Sequence, residues 1–569
     1  MNFPGRWLPR SIGCLRGYTT RQFTQDVIAG LTVGLVALPL AMAFAMASGV
    51  PPQAGIYTAV VAGFLISALG GSRTQIGGPT GAFVVIVAGI VVKFGLSGLA
   101  LAGMMAGVLL VLMGLTGLGS AVKYIPRPVI IGFTNGIALL IASTQIKDFL
   151  GLVTPPIPSE FPARMMMLFQ YASSVQWQTL AVGAASLGII LFWPRLTKRV
   201  PGSIVALFLL TAVGAAFGLP IETIGSKFGG IPQGFPHFGF PAFQAAQIIP
   251  LLPSAFTVAL LAAVESLLSA VVADGMSGDH HNSNVELVAQ GVANIASPLF
   301  GGIPATGAIA RTATNIRSGA LTPIAGIVHA MTLLVILLVA APLARFVPLA
   351  TLAAVLFVVA YNMGEWKEIG TILHLSKTDI AVWITTFALT VFADLTVAVG
   401  VGMALAALLY IHRVSETTTV EPVTNKYLRD GRAHILQERD IPSNVTILRI
   451  HGPFLFGTTE KLAEATKDIS HLAEVVILRL RNMTALDATG IHALEQFSDR
   501  LNRAGKKLLL CGAREQPSKF LANSDFLKHL GPENVMPDVR TALQRARDLR
   551  GDFEGMGPKL AEELQEHPL

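Results

Sequence analysis

The amino-acid sequence predicts an α-helical polytopic membrane protein that carries a small soluble α/β domain near its C-terminal end. Hydrophobic residues make up 52% of the 569 residues and charged residues only 13%, with a mean hydropathy of +0.61. This composition is typical of a chain that lies mostly in a bilayer. Residues 416–569 hold 21 basic and 22 acidic residues, whereas residues 1–415 hold 20 and 12. The charge-rich part is therefore predicted to be a separate soluble domain.

Fourteen apolar segments follow one another before this domain. A helix needs ~20 residues to cross the ~30 Å hydrocarbon core, so several segments are too short to cross it alone. The segments cover residues 26–46, 54–70, 80–95, 97–120, 128–150, 176–193, 201–219, 251–273, 285–299, 307–318, 321–341, 347–362, 378–392 and 394–412.

Basic residues predict the orientation of these segments. If each of the first seven crosses the membrane, the basic residues fall on one side, and both chain ends are predicted to be cytoplasmic. These residues are the N-terminal arginines, Lys123, Arg127, Arg195, Lys198, Arg199 and Arg413. The predicted parts are a cytoplasmic N-terminal segment (1–25), a first membrane repeat (26–220), an extracytoplasmic linker (221–250), a second membrane repeat (251–413), a linker (414–436), the soluble domain (437–550) and a C-terminal tail (551–569).

Two segments share a pattern of Gly-Gly, Pro and Thr-Gly before an apolar run. They are GGPTGAFVVIVAG (Gly77–Gly89) in the third segment and GGIPATGAIARTATN (Gly301–Asn315) in the tenth. Such a pair at corresponding places in two halves indicates an inverted-repeat transporter with its site between them. A helix that begins inside the membrane directs unpaired N–H groups and its positive dipole end at an anion. The predicted ends are Thr80, Gly81, Ala82 and Phe83, and Gly307, Ala308, Ile309 and Ala310.

One acid and one base lie in the apolar segments near this pattern. Glu265 lies inside the eighth segment and Arg311 near the start of the tenth. Ionisable residues at membrane depth are costly and indicate function. Glu265 is predicted to carry a proton, with a structural acid paired to backbone amides or to Arg311 as the alternative. Arg311 is predicted to contribute positive charge to anion binding, with packing or pairing to Glu265 as its alternative.

Hydroxyl groups near these charges have two interpretations each. Ser266 directly follows Glu265, and Ser269 lies on the same helical face as Glu265. Either serine contacts the anion or bonds a local carbonyl, and Ser269 is retained as a candidate substrate contact. Thr306 is predicted to cap the tenth helix rather than to contact substrate.

Other residues do not match a catalytic or metal-binding pattern. The loop from Asp274 to Asn284 contains Asp279, His280 and His281, but its spacing fits no zinc or EF-hand template, so a solvated turn is predicted. Cys14 and Cys511 are too far apart in sequence for a metal motif and are predicted to be structural thiols. No basic run interleaved with aromatic residues indicates nucleic-acid binding. The protein is predicted not to be an enzyme and to need no cofactor or metal.

The soluble domain shows alternating strands and helices. NVTILRIHG and EVVILRLRN are rich in β-branched residues, LDATGIHALEQF opens a helix, and KKLLLCG is a further strand. The absence of a nucleophile–base or phosphate-loop motif favours regulation or partner binding over catalysis.

Together these stretches resemble the SulP family of anion transporters, also called sulfate permease or solute carrier 26, with a C-terminal STAS domain. The resemblance covers residues 26–550 and rests on ALPLAMAFAMASGVPPQAGIYTA, GGSRTQIGGPTGAF, AAVESLLSAVVADGMSG, GGIPATGAIARTATNIRSGA and ALDATG. Within the family the chain is most similar to the bacterial aerobic C4-dicarboxylic acid transporter, on TQIKDFLGL and AIAR.

This resemblance implies a fold and a site. It implies two inverted repeats of seven segments, with a core domain (segments 1–4 and 8–11) that moves against a gate domain, and a homodimer. Substrate would lie between the starts of segments 3 and 10, flanked by segments 1 and 8. Leu40 and Phe44 of segment 1 would then line it, where many members carry Gln and Tyr. In ALDATG, Asp487 and Thr489 lie in a loop that carries a phosphorylated hydroxyl in stand-alone STAS proteins, but Ala488 removes one hydroxyl.

The sequence thus predicts proton-coupled uptake of C4-dicarboxylates across a bacterial cytoplasmic membrane by alternating access. Transport or exchange of sulfate, bicarbonate or chloride is the alternative within the class. Ile309 stands where sodium-coupled bicarbonate members carry Thr, so sodium coupling is disfavoured. An anion channel or sensor that signals through the STAS domain to a cytoplasmic partner is the alternative from another class.

Overall fold

The computed structural model describes residues 7–549 except 16, 120–125, 156, 159, 198–199, 242–244, 375, 394 and 423–441. Lys123, Lys198, Arg199 and the predicted tail 551–569 therefore lie outside the described residues. Contacts divide the chain into two units, Met1–Ala406 and Ala407–Leu569. The first is helical and the second contains a five-stranded sheet.

The helical unit consists mainly of apolar helices. Among the described residues, eight helices are long and apolar enough to cross a membrane, and Gly202–Phe217 is a shorter apolar helix. In chain order the elements are α1 (Arg10–Cys14), α2 (Thr20–Ala47), α3 (Pro52–Leu69), β1 (Gly77–Gly78), α4 (Phe83–Leu115), α5 (Arg127–Leu150), α6 (Phe161–Gln170), α7 (Trp177–Leu196), α8 (Gly202–Phe217), α9 (Ile224–Phe228), α10 (Ile248–Ser277), α11 (Ser283–Leu299), β2 (Thr306–Gly307), α12 (Ile309–Arg317), α13 (Ile324–Ala340), α14 (Leu349–Met363), α15 (Trp366–Leu373), α16 (Lys377–Phe392) and α17 (Leu395–Thr417).

Local sequence explains where several of these helices begin and end. Thr19 starts α2 with a capping box, because its hydroxyl accepts the N–H of Gln22 while the Gln22 side chain accepts the N–H of Thr19. Gly151 and Gly278 end α5 and α10 in the left-handed conformation, which glycine adopts without a steric penalty. The long helix α4 breaks at Gly95, whose φ is +71°, and so contains predicted segments 3 and 4.

The prediction of a multi-pass helical membrane fold is confirmed. Each predicted apolar segment overlaps a helix of the structure, and segments 3 and 4 share α4. The sequence analysis missed the short helices α6, α9 and α15. These helices have 10, 5 and 8 residues, so they lack the long apolar run on which the prediction depended.

The helices of this unit pack in two groups. In the first group, α4 packs against α10 and α11, while α13 packs against α2 and α3 and α12 packs against α10 and α2. In the second group, α5 packs against α14 and α16, and α7 packs against α8 and α14. These groups correspond to the predicted core and gate domains.

Helices α4 and α11 approach each other closely in the core domain. A Cβ atom on Gly107 would lie 2.6 Å from the carbonyl oxygen of Gly291, and a Cβ atom on Gly291 would lie 2.6 Å from the carbonyl oxygen of Gly107. Small residues at a helix crossing let two backbones approach closely, as is usual where lipid surrounds the helices. The crossing therefore depends on glycine on both sides.

The second unit is a small α/β domain. Its elements are β3 (Thr419–Pro422), β4 (Val445–Phe454), α18 (Glu460–Ala465), β5 (Val475–Leu486), α19 (Ala488–Arg503), β6 (Lys507–Cys511), α20 (Glu515–Ala522), α21 (Phe526–Leu530), β7 (Val535–Met536) and α22 (Val539–Asp548). The strand order is β3-β4-β5-β6-β7, in which only the β3–β4 pair is antiparallel.

Alternation along β5 gives this sheet two apolar faces. Val476 and Leu478 belong to the core that includes Phe497 of α19, whereas Ile477 belongs to the core that includes Leu543 of α22. Successive residues of a strand point to opposite faces, so the β-branched run of β5 fills both cores. The predicted small α/β domain is confirmed.

The predicted linker 414–436 differs from the structure. Helix α17 continues to Thr417, and Thr419–Pro422 forms strand β3 beside β4, while residues 423–436 lie outside the described part. A strand of four residues is too short to show an alternating apolar pattern in the sequence. Its hydrogen bonds are made with β4, which is distant in sequence. Sequence alone therefore did not reveal it.

Replacing Gly107 by alanine should destabilise the helical unit by about 1–3 kcal/mol, because the new Cβ meets backbone atoms of α11. Gly89→Ala is the matched control on the same helix, where a Cβ atom has no neighbour within 4 Å. The measurement is thermal unfolding of the detergent-solubilised protein. Equal melting temperatures for the two variants would contradict the tight crossing.

Candidate functional site

The residues just before α4 and α12 are joined by a two-stranded sheet, β1 and β2. Gly77 pairs with Gly307 and Gly78 pairs with Thr306 in antiparallel register. The Ala308 N–H extends this pairing by donating to the Ile76 carbonyl at 2.8 Å. The sequence motifs that were predicted to lie together therefore do so, through direct backbone pairing of their glycines.

Close packing around β2 requires a residue without a side chain. A Cβ atom on Gly307 would lie 1.8 Å from Nε2 of Gln75 and 3.1 Å from Cα of Ser266. The Gln75 side chain occupies this space because its Nε2 donates to the Ser266 carbonyl at 3.1 Å. Gly307 is thus a structural requirement for the approach of β2 to α10.

The start of α12 presents backbone donors. Its N-cap is Ala308, which supplies no side-chain cap. The N–H groups of Ile309, Ala310 and Arg311 occupy the first turn, where a helix offers no backbone acceptor. Ile309 is 40% exposed and Ala310 is also exposed, so this helix end is open rather than buried.

The start of α4 differs from that of α12. Ala82 and Phe83 are buried, at 0% and 1% exposure. The Phe83 N–H donates to the Thr80 carbonyl at 3.3 Å, and the Val84 N–H donates to the Gly81 carbonyl at 3.0 Å. Part of this predicted donor set is therefore used within its own turn.

Glu265 and Arg311 both contact the turn before α4, through neighbouring residues. The Thr80 hydroxyl donates to Oε2 of Glu265 at 3.1 Å, and Arg311 donates from Nη2 to the Pro79 carbonyl at 2.7 Å. Among the described residues, the ion pairs do not join these two side chains. The alternative in which Glu265 neutralises Arg311 directly is thus not observed.

The environments of these two charges also differ. Arg311 is 2% exposed, and its Nη1 has no hydrogen-bond partner in the described part of the chain. Glu265 is partly exposed. A buried guanidinium with a spare donor suits an anion nearby, whereas the Glu265 carboxylate accepts a hydrogen bond from Thr80.

Ser266 and Thr306 form a clamp between α10 and β2. The Ser266 hydroxyl accepts the Gly307 N–H at 3.1 Å and lies 2.7 Å from the Thr306 hydroxyl, which donates to the Ala262 carbonyl. Both side chains are fully buried. Thr306 therefore does not cap α12, contrary to the prediction, because its hydroxyl is used to hold β2 against α10.

Ser269 is directed into the core domain. Its hydroxyl lies 3.1 Å from the Thr312 hydroxyl, and the Thr312 hydroxyl accepts the Ile76 N–H at 3.0 Å. Ser269 has no exposed surface, so it is not placed to contact substrate in this structure.

The sequence analysis missed Gln75 and Thr312 as structural partners of the site. Their signal was polarity within or beside apolar runs, in RTQIGG and ARTATN.

Leu40 and Phe44 occupy different positions on α2. Phe44 is 5% exposed, and its Cε1 would lie 3.3 Å from a Cβ atom on Gly81. Leu40 is half-buried and packs against a cluster that contains Ile190 and Val355. Phe44 is therefore next to the start of α4, whereas Leu40 faces the gate helices α7 and α14.

The loop between α10 and α11 is a hydrogen-bonded turn. Oδ2 of Asp274 accepts from the backbone N–H of His281 and lies 2.7 Å from its Nδ1, and the Ser283 hydroxyl lies 3.0 Å from Nε2. Asp279 pairs with Arg73 at 2.9 Å. The residues that the structure describes contain no cluster of three or more metal-ligating side chains.

In the soluble domain, Asp487 has a structural role. Its carboxylate accepts the Gly490 N–H at 2.8 Å, which caps α19, and the Phe456 N–H at 2.9 Å.

Cys511 is 1% exposed, and burial raises the pKa of its thiol to about 12. Cys511 is therefore an unreactive core residue.

Comparison with known proteins identifies both units. Residues 23–386 match the sulfate permease family, and residues 437–542 match the STAS domain. The Bacillus subtilis protein named "Putative sulfate transporter YvdB" is 43% identical, over 92% of this chain and 98% of that protein. The bicarbonate transporter BicA of Picosynechococcus is 32% identical, over 92% of this chain and 95% of that protein.

Solved structures agree with this assignment. The transmembrane domain of a cyanobacterial BicA is 36% identical, has a TM-score of 0.61, and covers 67% of this chain and 99% of that one. SLC26A9 has a TM-score of 0.83 at 19% identity, with 96% of this chain and 94% of that chain covered, which is a likeness of fold. The resemblance to the SulP family with a C-terminal STAS domain is thereby confirmed, whereas the relatives named here are sulfate and bicarbonate transporters and do not show the finer similarity to the C4-dicarboxylic acid transporter.

Removing the Ser266 hydroxyl should weaken the clamp. In Ser266→Ala the buried Gly307 N–H loses its acceptor, so we expect a loss of about 1–3 kcal/mol in stability. Ser277→Ala is the control on the same helix, because that hydroxyl bonds only its own helix, at the Ala273 carbonyl. Thermal unfolding in detergent measures both, and a Ser266→Ala variant that is no less stable than Ser277→Ala would contradict the clamp.

Proposed function

The chain belongs to the sulfate permease family of anion transporters, and from this premise we propose that it carries a small inorganic oxyanion, sulfate or bicarbonate, across a membrane. The observation that supports this proposal most is the open start of α12, which β1 and β2 hold against the turn before α4. The names of the relatives support the inorganic anions that the sequence analysis held as its alternative.

Binding would depend on backbone donors and on one buried cation. The free N–H groups at the start of α12 supply directed donors, and the helix dipole adds favourable potential for negative charge. The spare Nη1 of Arg311 supplies a further donor, while its Nη2 is fixed by the Pro79 carbonyl. An oxyanion with several acceptor oxygens matches this set, because each donor is satisfied when the anion is bound.

Transport would follow from motion of the core domain against the gate domain. The site is built from α4, α10 and α12, and α10 packs against both of the other helices in the core domain. The anion would therefore travel with this group while the gate helices provide the opposing surface. We further propose a homodimer in a bacterial cytoplasmic membrane with both chain ends in the cytoplasm, as the resemblance and the positive-inside pattern imply.

Coupling to protons is the finer part of the proposal. Glu265 is partly exposed, and the Thr80 hydroxyl joins it to the turn before α4. Its charge would then lie near an anion bound at that turn. Uptake of a proton would remove a repulsion between the carboxylate and the anion. Proton-coupled uptake of C4-dicarboxylates remains the second candidate, since Glu265 would couple either substrate.

Arg311→Gln should reduce uptake of sulfate or bicarbonate by at least about tenfold, because a charge-assisted hydrogen bond contributes roughly 1.5–3 kcal/mol. The measurement is uptake of labelled sulfate, bicarbonate and succinate into proteoliposomes. Arg317→Gln is the matched control, since it removes the same charge from the exposed end of the same helix. Equal uptake by the two variants would refute the role of Arg311.

Glu265→Gln should abolish the stimulation of uptake by an inward proton gradient, because the amide cannot exchange a proton. The variant keeps an oxygen that accepts from Thr80, so the local packing is preserved. Uptake is compared with and without the gradient in the same proteoliposomes. A gradient response that survives the substitution would exclude Glu265 as the proton carrier and leave anion transport unaffected.

A further inference from the structure

Helix α11 carries four buried polar side chains along one face. Glu286, Gln290, Asn294 and Ser297 have no exposed surface. Their spacings of four, four and three residues place them on the same side of the helix. A buried polar group is costly unless it is hydrogen-bonded, so the partners of these side chains indicate what the face does. We call these four residues the polar face of α11.

Asn294 bonds both backbone groups of Ala305, the residue directly before β2. Its Nδ2 donates to the Ala305 carbonyl at 2.8 Å, and its Oδ1 accepts the Ala305 N–H at 2.9 Å. The Ser297 hydroxyl adds a third bond by donating to the Ile303 carbonyl at 2.8 Å. These three bonds fix the backbone that leads into β2 and from there into α12.

Glu286 makes comparable bonds to the segment before β1. Its Oε2 accepts the N–H groups of Gly71 and Ser72 at 2.9 and 3.2 Å, in the loop between α3 and β1. Its Oε1 accepts from Nε2 of Gln290 at 2.9 Å, and the Gln290 carbonyl accepts from Nδ2 of Asn294 at 2.8 Å. The polar face is therefore one connected set of hydrogen bonds that reaches both segments.

Helix α11 is itself held firmly in the core domain. A Cβ atom on Gly291 would lie 2.6 Å from the carbonyl oxygen of Gly107, so α11 and α4 meet backbone to backbone. Helix α11 also packs against α3. The bonds of Asn294 to Ala305 therefore hold the segment before β2 relative to α3 and α4, and not only relative to α11.

We propose that the polar face of α11 positions the anion site, with Asn294 as its principal positioning residue. This inference rests on the proposed function, because it requires that the N–H groups at the start of α12 bind the anion. A hydrogen bond weakens steeply when donor and acceptor are misaligned, so these donors must be held in place before the anion arrives. Asn294 acts on them through Ala305 and β2, without touching the substrate.

Asn294→Ala removes both bonds to Ala305 and should raise the KM for uptake of sulfate or bicarbonate into proteoliposomes by about tenfold. Asn284→Ala is the matched control. It makes the same substitution on the same helix, at a side chain whose Oδ1 has no hydrogen-bond partner in the described part of the chain. A purely structural loss would lower the amount of folded transporter and the maximal rate, but it would leave the KM of the folded molecules unchanged.

Hydrogen–deuterium exchange is measured on the same variants, in peptides that cover residues 303–310. Exchange should be faster in Asn294→Ala than in Asn284→Ala, because the Ala305 N–H has lost its acceptor. Ser297→Ala is the milder second variant, for the case in which Asn294→Ala does not fold. It removes a single bond to the Ile303 carbonyl and should raise the KM by about threefold.

Three outcomes would contradict these statements. A folded Asn294→Ala, or Ser297→Ala where only that variant folds, with the KM of Asn284→Ala would overturn the inference and leave oxyanion transport standing. Faster exchange over residues 303–310 with an unchanged KM would also overturn it, because the segment would then move without affecting the anion. Absence of saturable uptake of either oxyanion by the wild type would instead overturn the proposed function, and the inference with it.

Discussion

The antiparallel pairing of Gly77 with Gly307 and of Gly78 with Thr306 is the interaction on which the site depends. These two residue pairs fix the starts of α4 and α12 against each other, although 227 residues, 79–305, lie between the paired strands in sequence. Antiparallel pairing requires that the two segments run in opposite directions through the same region. The inverted orientation of the two halves thus has a direct expression in backbone hydrogen bonds.

The two charges of the site are organised around one dipeptide. Pro79 accepts from Arg311 through its carbonyl, and Thr80 donates to Glu265 through its hydroxyl. The acid and the base are thereby kept near the same turn while each has its own partner. A direct ion pair would have neutralised both groups and removed the positive potential that an anion needs.

Sequence predicted the membrane segments because burial in lipid demands long apolar runs, which composition alone reveals. It predicted the paired motifs because a helix that starts inside the membrane needs Gly and Pro. It did not predict how the hydroxyls are used. In the sequence, Ser266 and Ser269 look equivalent on α10. In the structure, the Ser266 hydroxyl bonds β2 and the Ser269 hydroxyl bonds Thr312. The position of the neighbouring strand decides which partner each hydroxyl has. Strand β3 was missed for a similar reason, because it forms only through hydrogen bonds to β4.

The clamp of Ser266 and Thr306 also limits how the site can respond to a proton. Because these hydroxyls tie α10 to β2, the helix that carries Glu265 and the start of α12 form one piece within the core domain. Under the proposed coupling, a proton on Glu265 would therefore change the electrostatic potential around the anion rather than the distance between the two helices. The proposed coupling would then depend on charge, with the geometry held constant by two hydroxyl groups.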